Sequence, residues 1–119
     1  MRLGPAALTA LTLAAGTVAA QYTPDPARGQ QYFRTYCVAC HGAAAAGCGT
    51  RARLYSPRPA NLTQSRRSPE YKAQIIRNGG QAMGRSPYMP PWVGQIGDDR
   101  IRDIVEYLGM LDPIETPTC

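Results

Sequence analysis

The clearest pattern of apolar and polar positions lies near the C-terminus, over residues 98–108. The apolar side chains recur there at intervals of three and four, at Ile101, Ile104, Val105 and Leu108. This spacing places them on one face of an α-helix, with polar residues on the other face. Asp98 precedes the pattern and is predicted to cap the helix, because its short carboxylate accepts hydrogen bonds from free backbone amides.

Two further helices are predicted upstream, each with its own start signal. Residues 23–26 (Thr-Pro-Asp-Pro) and 68–70 (Ser-Pro-Glu) supply a capping side chain and an early Pro. The first helix runs through Tyr36 toward residue 41, and the second ends at Asn78-Gly79-Gly80. Residues 42–50, rich in Gly and Ala, and residues 81–97, broken by Pro, are predicted loops. No segment shows the alternation of a strand, so an all-α fold is expected.

The first twenty residues have the composition of a secretory signal peptide. Arg2 supplies a positive charge, residues 3–20 are dominated by Leu and Ala, and small side chains at 18–20 favour cleavage before Gln21. We therefore predict a signal peptide over residues 1–20 and one domain over residues 21–119. An uncleaved membrane anchor is the alternative, although Gly, Pro and Thr make this stretch a weak spanning helix. Export would place the domain in an oxidising compartment, the periplasm.

The segment Cys37-Val38-Ala39-Cys40-His41 carries the candidate chemistry. On a helix, Cys37, Cys40 and His41 stand at positions i, i+3 and i+4, and so they share one face. Two thiols and an imidazole on one face suit haem c, because the thiols add to its two vinyl groups and the imidazole reaches the iron. A thioredoxin-type disulfide would follow a strand, which is not predicted here. A zinc site would need ligands beyond the only His in the chain, from Cys48 or Cys119.

A haem iron that carries electrons rapidly needs a sixth ligand, and the single His excludes a second imidazole. Met89 and Met83 are the candidates. Pro90 forces Met89 into an extended backbone and stiffens its loop, whereas the glycines around Met83 leave its backbone looser. We therefore predict His41 and Met89 as the iron ligands, with Met83 as the alternative. Because the chain has one Phe and one Trp, a buried haem would also supply part of the core.

Together these motifs resemble the small class I c-type cytochromes of bacterial export compartments. The matching stretches are residues 29–33, 37–42, 57–63, 76–80, 89–92 and 104–108. The resemblance implies a class I cytochrome c fold, in which three to four helices wrap around one haem c bound covalently to Cys37 and Cys40. It also implies that the first and last helices cross, with Gly29 and Phe33 meeting Tyr107. The Met-Pro pair of the family carries the distal ligand, which strengthens the prediction for the methionine before Pro90.

One departure from that family is Gly47-Cys48-Gly49, where relatives often have a loop of Gly-Asp-Gly type, together with the terminal Cys119. Two thiols therefore remain once the other two are assigned to haem. In an oxidising compartment we favour a disulfide that links this loop to the C-terminus. Two independent thiols, or pairing between molecules, are the alternatives.

Charge is distributed unevenly along the chain. The net charge is +5, or +4 without Arg2. Between residues 42 and 97 one acid, Glu70, accompanies eight bases, here called the basic block: Arg51, Arg53, Arg58, Arg66, Arg67, Lys72, Arg77 and Arg85. Such a block predicts a positive face that attracts an acidic patch on a redox partner protein. Nucleic acid is not expected as a partner, because the chain is predicted to be exported.

We therefore interpret the chain as an exported monohaem carrier of single electrons between a donor dehydrogenase and a respiratory acceptor. No enzymatic bond chemistry is expected of it. No stable membrane insertion is expected after signal cleavage. A permanent cytochrome subunit of an oxidoreductase complex, and a haem enzyme or sensor with an open distal site, are the alternatives.

Overall fold

The computed structural model describes Met1, residues 20–115 and Cys119, and these residues contain four α-helices. They are α1 (Pro26–Tyr36), α2 (Val38–His41), α3 (Pro69–Ala82) and α4 (Asp98–Gly109), with short 3-10 helices at Ala52–Leu54 and Leu62–Gln64. The described residues contain no strand, which confirms the predicted all-α fold. Residues 2–19, most of the predicted signal peptide, lie outside the described part, so the boundary before Gln21 stays a prediction.

Helix α1 leads directly into the cysteine motif. Its cap is Asp25, whose carboxylate accepts hydrogen bonds from the backbone amides of Ala27 and Arg28, and Pro26 occupies the first turn. Cys37 separates α1 from α2 by a single residue, and the His41 amide donates to the Cys37 carbonyl at 2.9 Å. The motif is therefore helical from Val38 to His41, but the single helix predicted to run into it is interrupted at Cys37.

The first and last helices cross at close range. A Cβ atom on Gly29 would overlap the backbone carbonyl of Asp103 and lie 3.0 Å from the amide nitrogen of Ile104. One helical turn further along, the rings of Phe33 and Tyr107 have centroids 5.4 Å apart. Only a residue without a side chain permits this approach, so the expected contact of Gly29 and Phe33 with the last helix is confirmed.

The hydrophobic core lies beneath this crossing and takes the apolar face of α4. Its buried members come from α1, α3, α4 and the loops before α3 and α4: Phe33, Ala45, Ile76, Ile96, Ile101, Ile104, Val105 and Leu108. All four apolar positions that define the pattern of α4 are buried, which confirms its predicted orientation.

The polar positions of α4 contain an exception to the prediction that they face solvent. Asp103 is fully buried and accepts hydrogen bonds from the Tyr22 hydroxyl, from the Asp25 amide at 2.7 Å and from Arg28 Nε at 3.0 Å. Burial alone would raise the pKa of Asp103, but these hydrogen bonds outweigh it and hold the pKa below its ordinary value. A charged aspartate therefore joins α4 to the start of α1.

The predicted cap of α4 is also wrong by one residue. The cap position is Gly97, which offers no side-chain hydrogen bond, and Asp98 is the first helical residue. The Asp98 carboxylate instead accepts from Arg77 Nε at 2.9 Å and from its Nη2 at 2.8 Å. A guanidinium offers two aligned donors, so this ion pair joins α3 to α4.

Candidate cofactor site

Cys37 and Cys40 are free thiols, and both are partly buried. Cys37 packs against the hydrophobic core. Burial, together with the nearness of Cys40, raises the pKa of Cys37 to about 12. The Cys37 side chain is therefore an uncharged thiol at neutral pH. It is also not part of a disulfide.

His41 is buried at the end of α2, with 9% of its surface exposed. Its Nδ1 lies 3.1 Å from the backbone carbonyl oxygen of Ala60. Burial lowers the pKa of His41 and the Ala60 hydrogen bond opposes this, with a net lowering. A neutral imidazole whose Nδ1–H donates to Ala60 keeps the lone pair on Nε2, and that nitrogen is then available to a metal.

The loop after the motif closes the end of α2. The amides of Gly47, Gly49 and Arg51 donate to the carbonyls of His41, Cys40 and Ala39 at 2.8, 3.0 and 2.9 Å. These carbonyls have no partner within so short a helix. The loop therefore fixes the orientation of the turn that carries Cys40 and His41.

Met89 lies in a loop that folds back on the end of α3. The Gly80 amide donates to the Met89 carbonyl at 2.8 Å, and the Trp92 amide donates to the Ile76 carbonyl at 3.0 Å. Gly79 makes the return possible, since it breaks α3 with a φ of 80°, a conformation that disfavours other residues. The Met89 side chain is half-buried and packs against the same core as Cys37.

Met83 is placed differently. It follows α3 directly and precedes Gly84, whose φ is 65°. Its side chain is half-buried, but the described side chains that pack against the core include Met89 and not Met83. Of the two methionines, Met89 is therefore the one that shares a core with the cysteine motif.

The residues around the core fit a haem. Partly buried apolar side chains from three separate segments pack on one core: Cys37 and Val38, then Leu62, then Met89 and Trp92. They would supply the apolar contacts of a porphyrin, with thiols for its vinyl groups and N and S donors for its iron. A cavity of about 330 Å³ beside Met89 is bordered by Gly79 and Pro91 and not by the cysteine motif, so we do not assign it to haem.

The zinc alternative receives no support from the described residues. They contain no cluster of three or more His, Cys, Asp or Glu side chains that could hold a metal ion. Cys48 forms a disulfide with Cys119, and their Cα atoms are 5.2 Å apart. The favoured pairing of the two remaining cysteines is thus present in the structure.

Comparison with known protein families agrees with a haem site. The model for cytochrome c oxidase, cbb3-type, subunit III matches residues 24–108, which is most of the chain. The chain belongs to this family. It is therefore a c-type cytochrome domain, and membership implies covalently bound haem c and an electron-transfer role. No curated protein matches the chain.

Two groups of this cytochrome were missed by reasoning from the sequence. The Ala60 carbonyl is a backbone group 19 positions from His41 along the chain, and side-chain patterns carry no signal for it. Asp103 falls among the polar positions of the α4 pattern, which are expected to face solvent. It lies on the polar side of the helical pattern, so the sequence carried no signal for its burial.

The basic block of the cytochrome is largely free of ion pairs. Among the described residues, Arg77 is its one member that forms a salt bridge. Arg67 lies over the ring of Tyr71, with its guanidinium carbon 4.9 Å from the ring centroid. Both Arg66 and Arg67 are exposed.

Across residues 20–115, no helix has the length and apolar character needed to cross a membrane.

Proposed function

We propose that this cytochrome is an exported, periplasmic carrier of single electrons with one haem c. Cys37 and Cys40 tether the haem, His41 is the proximal ligand and Met89 the distal ligand. The bound haem supplies the one-electron chemistry, and ligation by His and Met favours a high potential. The protein holds the group in one orientation and catalyses no bond chemistry of its own.

The observation that carries this proposal is that each proposed iron ligand is held by a hydrogen bond to the backbone of another segment. The Ala60 carbonyl orients the His41 ring, and the Gly80 amide donates to the Met89 carbonyl. A carrier needs ligands that stay in place in both oxidation states, because rearrangement slows electron transfer. A His41 ring held by a backbone carbonyl and a Met89 backbone held by a backbone amide meet that need.

The distal ligand is tested by Met89→Ala, with Met83→Ala as the matched control. We expect the ferric wild type to show the far-red methionine-to-iron charge-transfer band and the ferrous form to bind carbon monoxide poorly. Met89→Ala should abolish the band, admit carbon monoxide and lower the potential, while Met83→Ala should leave all three unchanged. Loss of the band only in Met83→Ala would identify the other methionine as the ligand. A wild type that binds carbon monoxide readily would favour an enzyme or a sensor.

The covalent tether is tested by denaturing electrophoresis with a haem-peroxidase stain. Colour should migrate with the wild-type polypeptide, because thioether bonds survive denaturation, and Cys37→Ala or Cys40→Ala should weaken or abolish it. Haem that acidified organic solvent removes completely from the wild type would contradict the tether.

The redox partner is proposed to present an acidic patch to the basic block. Arg66 and Arg67 are exposed and form no salt bridge among the described residues, which supports this, since unpaired charge steers association. A transient contact of this kind suits a shuttle between a donor dehydrogenase and a respiratory acceptor.

A permanent subunit of an oxidoreductase complex is the second candidate. The description of the matched family, subunit III of a cbb3-type cytochrome c oxidase, favours it. Chromatography of native membranes and soluble extract separates the two candidates. A shuttle elutes alone at high salt, whereas a subunit stays with its partner proteins.

A further inference from the structure

The C-terminal tail, residues 112–115 with Cys119, is attached to the proximal side of the site through Ile114. The Ile114 amide donates to Thr63 Oγ1 at 2.9 Å, and the Ile114 carbonyl accepts from Asn61 Nδ2 at 2.7 Å. Gln64 Nε2 adds a longer bond to the same carbonyl at 3.1 Å. Thr63 Oγ1 in turn donates to Asn61 Oδ1 at 2.7 Å. The tail and residues 61–64 therefore form one hydrogen-bonded unit.

This unit is continuous with the carbonyl that orients His41. Ala60, which accepts from His41 Nδ1 at 3.1 Å, directly precedes Asn61. The Leu62 amide donates to the Ala45 carbonyl at 2.8 Å, so the segment also rests on the loop that follows the motif. Because Ala60 and Asn61 share a peptide bond, we expect a displacement of residues 61–63 to shift the Ala60 carbonyl relative to the imidazole.

The tail is also attached at a second point, in the loop that follows the cysteine motif. Cys119 is bonded to Cys48, which stands between Gly47 and Gly49. The amides of these two glycines donate to the carbonyls of His41 and Cys40. The tail is thus fixed both to the segment that orients the His41 ring and to the segment that fixes its backbone.

We propose that the C-terminal tail is a positioning clamp for His41, in which Thr63 and the Cys48–Cys119 disulfide hold the Ala60 carbonyl against Nδ1. The proposal rests on the function proposed above, with His41 as an iron ligand. A hydrogen bond from Nδ1–H to a carbonyl makes the imidazole a stronger donor and favours the ferric state. Weakening the clamp should therefore raise the midpoint potential.

Thr63→Val tests the clamp in the haem-loaded protein, because it removes the hydroxyl that accepts from Ile114 and keeps the side-chain shape. Thr63→Ser restores the hydroxyl and is the rescue variant. We expect Thr63→Val to raise the midpoint potential and to speed exchange of the His41 Nδ1–H proton, followed by nuclear magnetic resonance, about tenfold. Thr63→Ser should retain wild-type values for both.

A double Cys48→Ser, Cys119→Ser variant tests the second attachment and keeps the proposal falsifiable if Thr63→Val does not fold. It should also raise the potential and speed the exchange. Asp98→Asn breaks an ion pair remote from the tail and should change neither quantity, which separates positioning from a general loss of stability.

Wild-type potential and exchange rate in both clamp variants would overturn the proposal, and so would a Thr63→Ser protein that behaves like Thr63→Val. Failure of the underlying function is distinguishable. It appears in the wild type itself, as loss of covalent haem or of His41 ligation, before any clamp variant is compared.

Discussion

The crossing of α1 and α4 at Gly29 predicts a large effect of adding a single methyl group. In Gly29→Ala, the new Cβ would overlap the Asp103 carbonyl and lie 3.0 Å from the Ile104 amide nitrogen. Both neighbours are backbone atoms of a packed helix and cannot turn aside as a side chain would. The helices must separate, which loosens the contact between Phe33 and Tyr107.

Two opposing effects set the change in the free energy of unfolding of Gly29→Ala. Overpacking a tight core costs about 1–3 kcal/mol, and an overlap with rigid backbone belongs near the upper end of that range. Alanine is favoured over glycine inside a helix by roughly 1 kcal/mol, which offsets part of the loss. We expect the free energy of unfolding of Gly29→Ala to fall by about 2 kcal/mol.

Urea unfolding of the haem-loaded protein, followed by far-ultraviolet circular dichroism, measures this change. Gly109→Ala is the matched control at the end of α4, because a Cβ there would meet nothing within 4 Å. Its stability should be unchanged or higher. A Gly29→Ala protein as stable as the wild type would refute the close crossing.

Two further predictions concern charge. Hydrogen bonds hold the pKa of Asp103 below its ordinary 3.8, so its charged form stabilises the fold above that pH, and this contribution is lost as the pH falls through the folded-state value. In thermal melts, Asp103→Asn should be less stable than the wild type at neutral pH. The difference should shrink on acidification, and Asp99→Asn, at an exposed position, should cost much less stability at neutral pH. Reversal of Arg66 and Arg67 to Glu should slow reduction by the native donor and leave the visible spectrum unchanged, while Arg34→Glu, outside the basic block, should have less effect. The wild-type rate should fall with added salt, since the Debye length is about 10 Å at 0.1 M, and a rate indifferent to salt would exclude steering.

Features encoded by near neighbours could be predicted from the sequence. The start of α1 at Asp25 and Pro26, the helical turn of the cysteine motif and the apolar face of α4 each depend on residues within a few positions of one another. The crossing at Gly29 could be predicted only through the resemblance to class I cytochromes.

Features that depend on distant residues could not be predicted in the same way. The charge of the buried Asp103 is compensated by a hydrogen-bonded ion pair with Arg28, which lies 75 positions earlier in the chain. The partner of His41 is a backbone carbonyl 19 positions away, and side-chain patterns carry no information about it. The shift of the α4 cap to Gly97 has the same origin, since Arg77 on another helix engages the carboxylate of Asp98.

The pairing of the first helix with the last has a consequence for the order of events during synthesis. The cysteine motif ends at residue 41, but the helix that covers α1 spans Asp98–Gly109. Until that helix has been made, the face of α1 that holds Gly29 and Phe33 has no partner. Contacts this distant in sequence form late, because the intervening chain must first be closed into a loop. The nascent chain therefore passes through a stage in which both thiols are present and accessible before the domain closes around them.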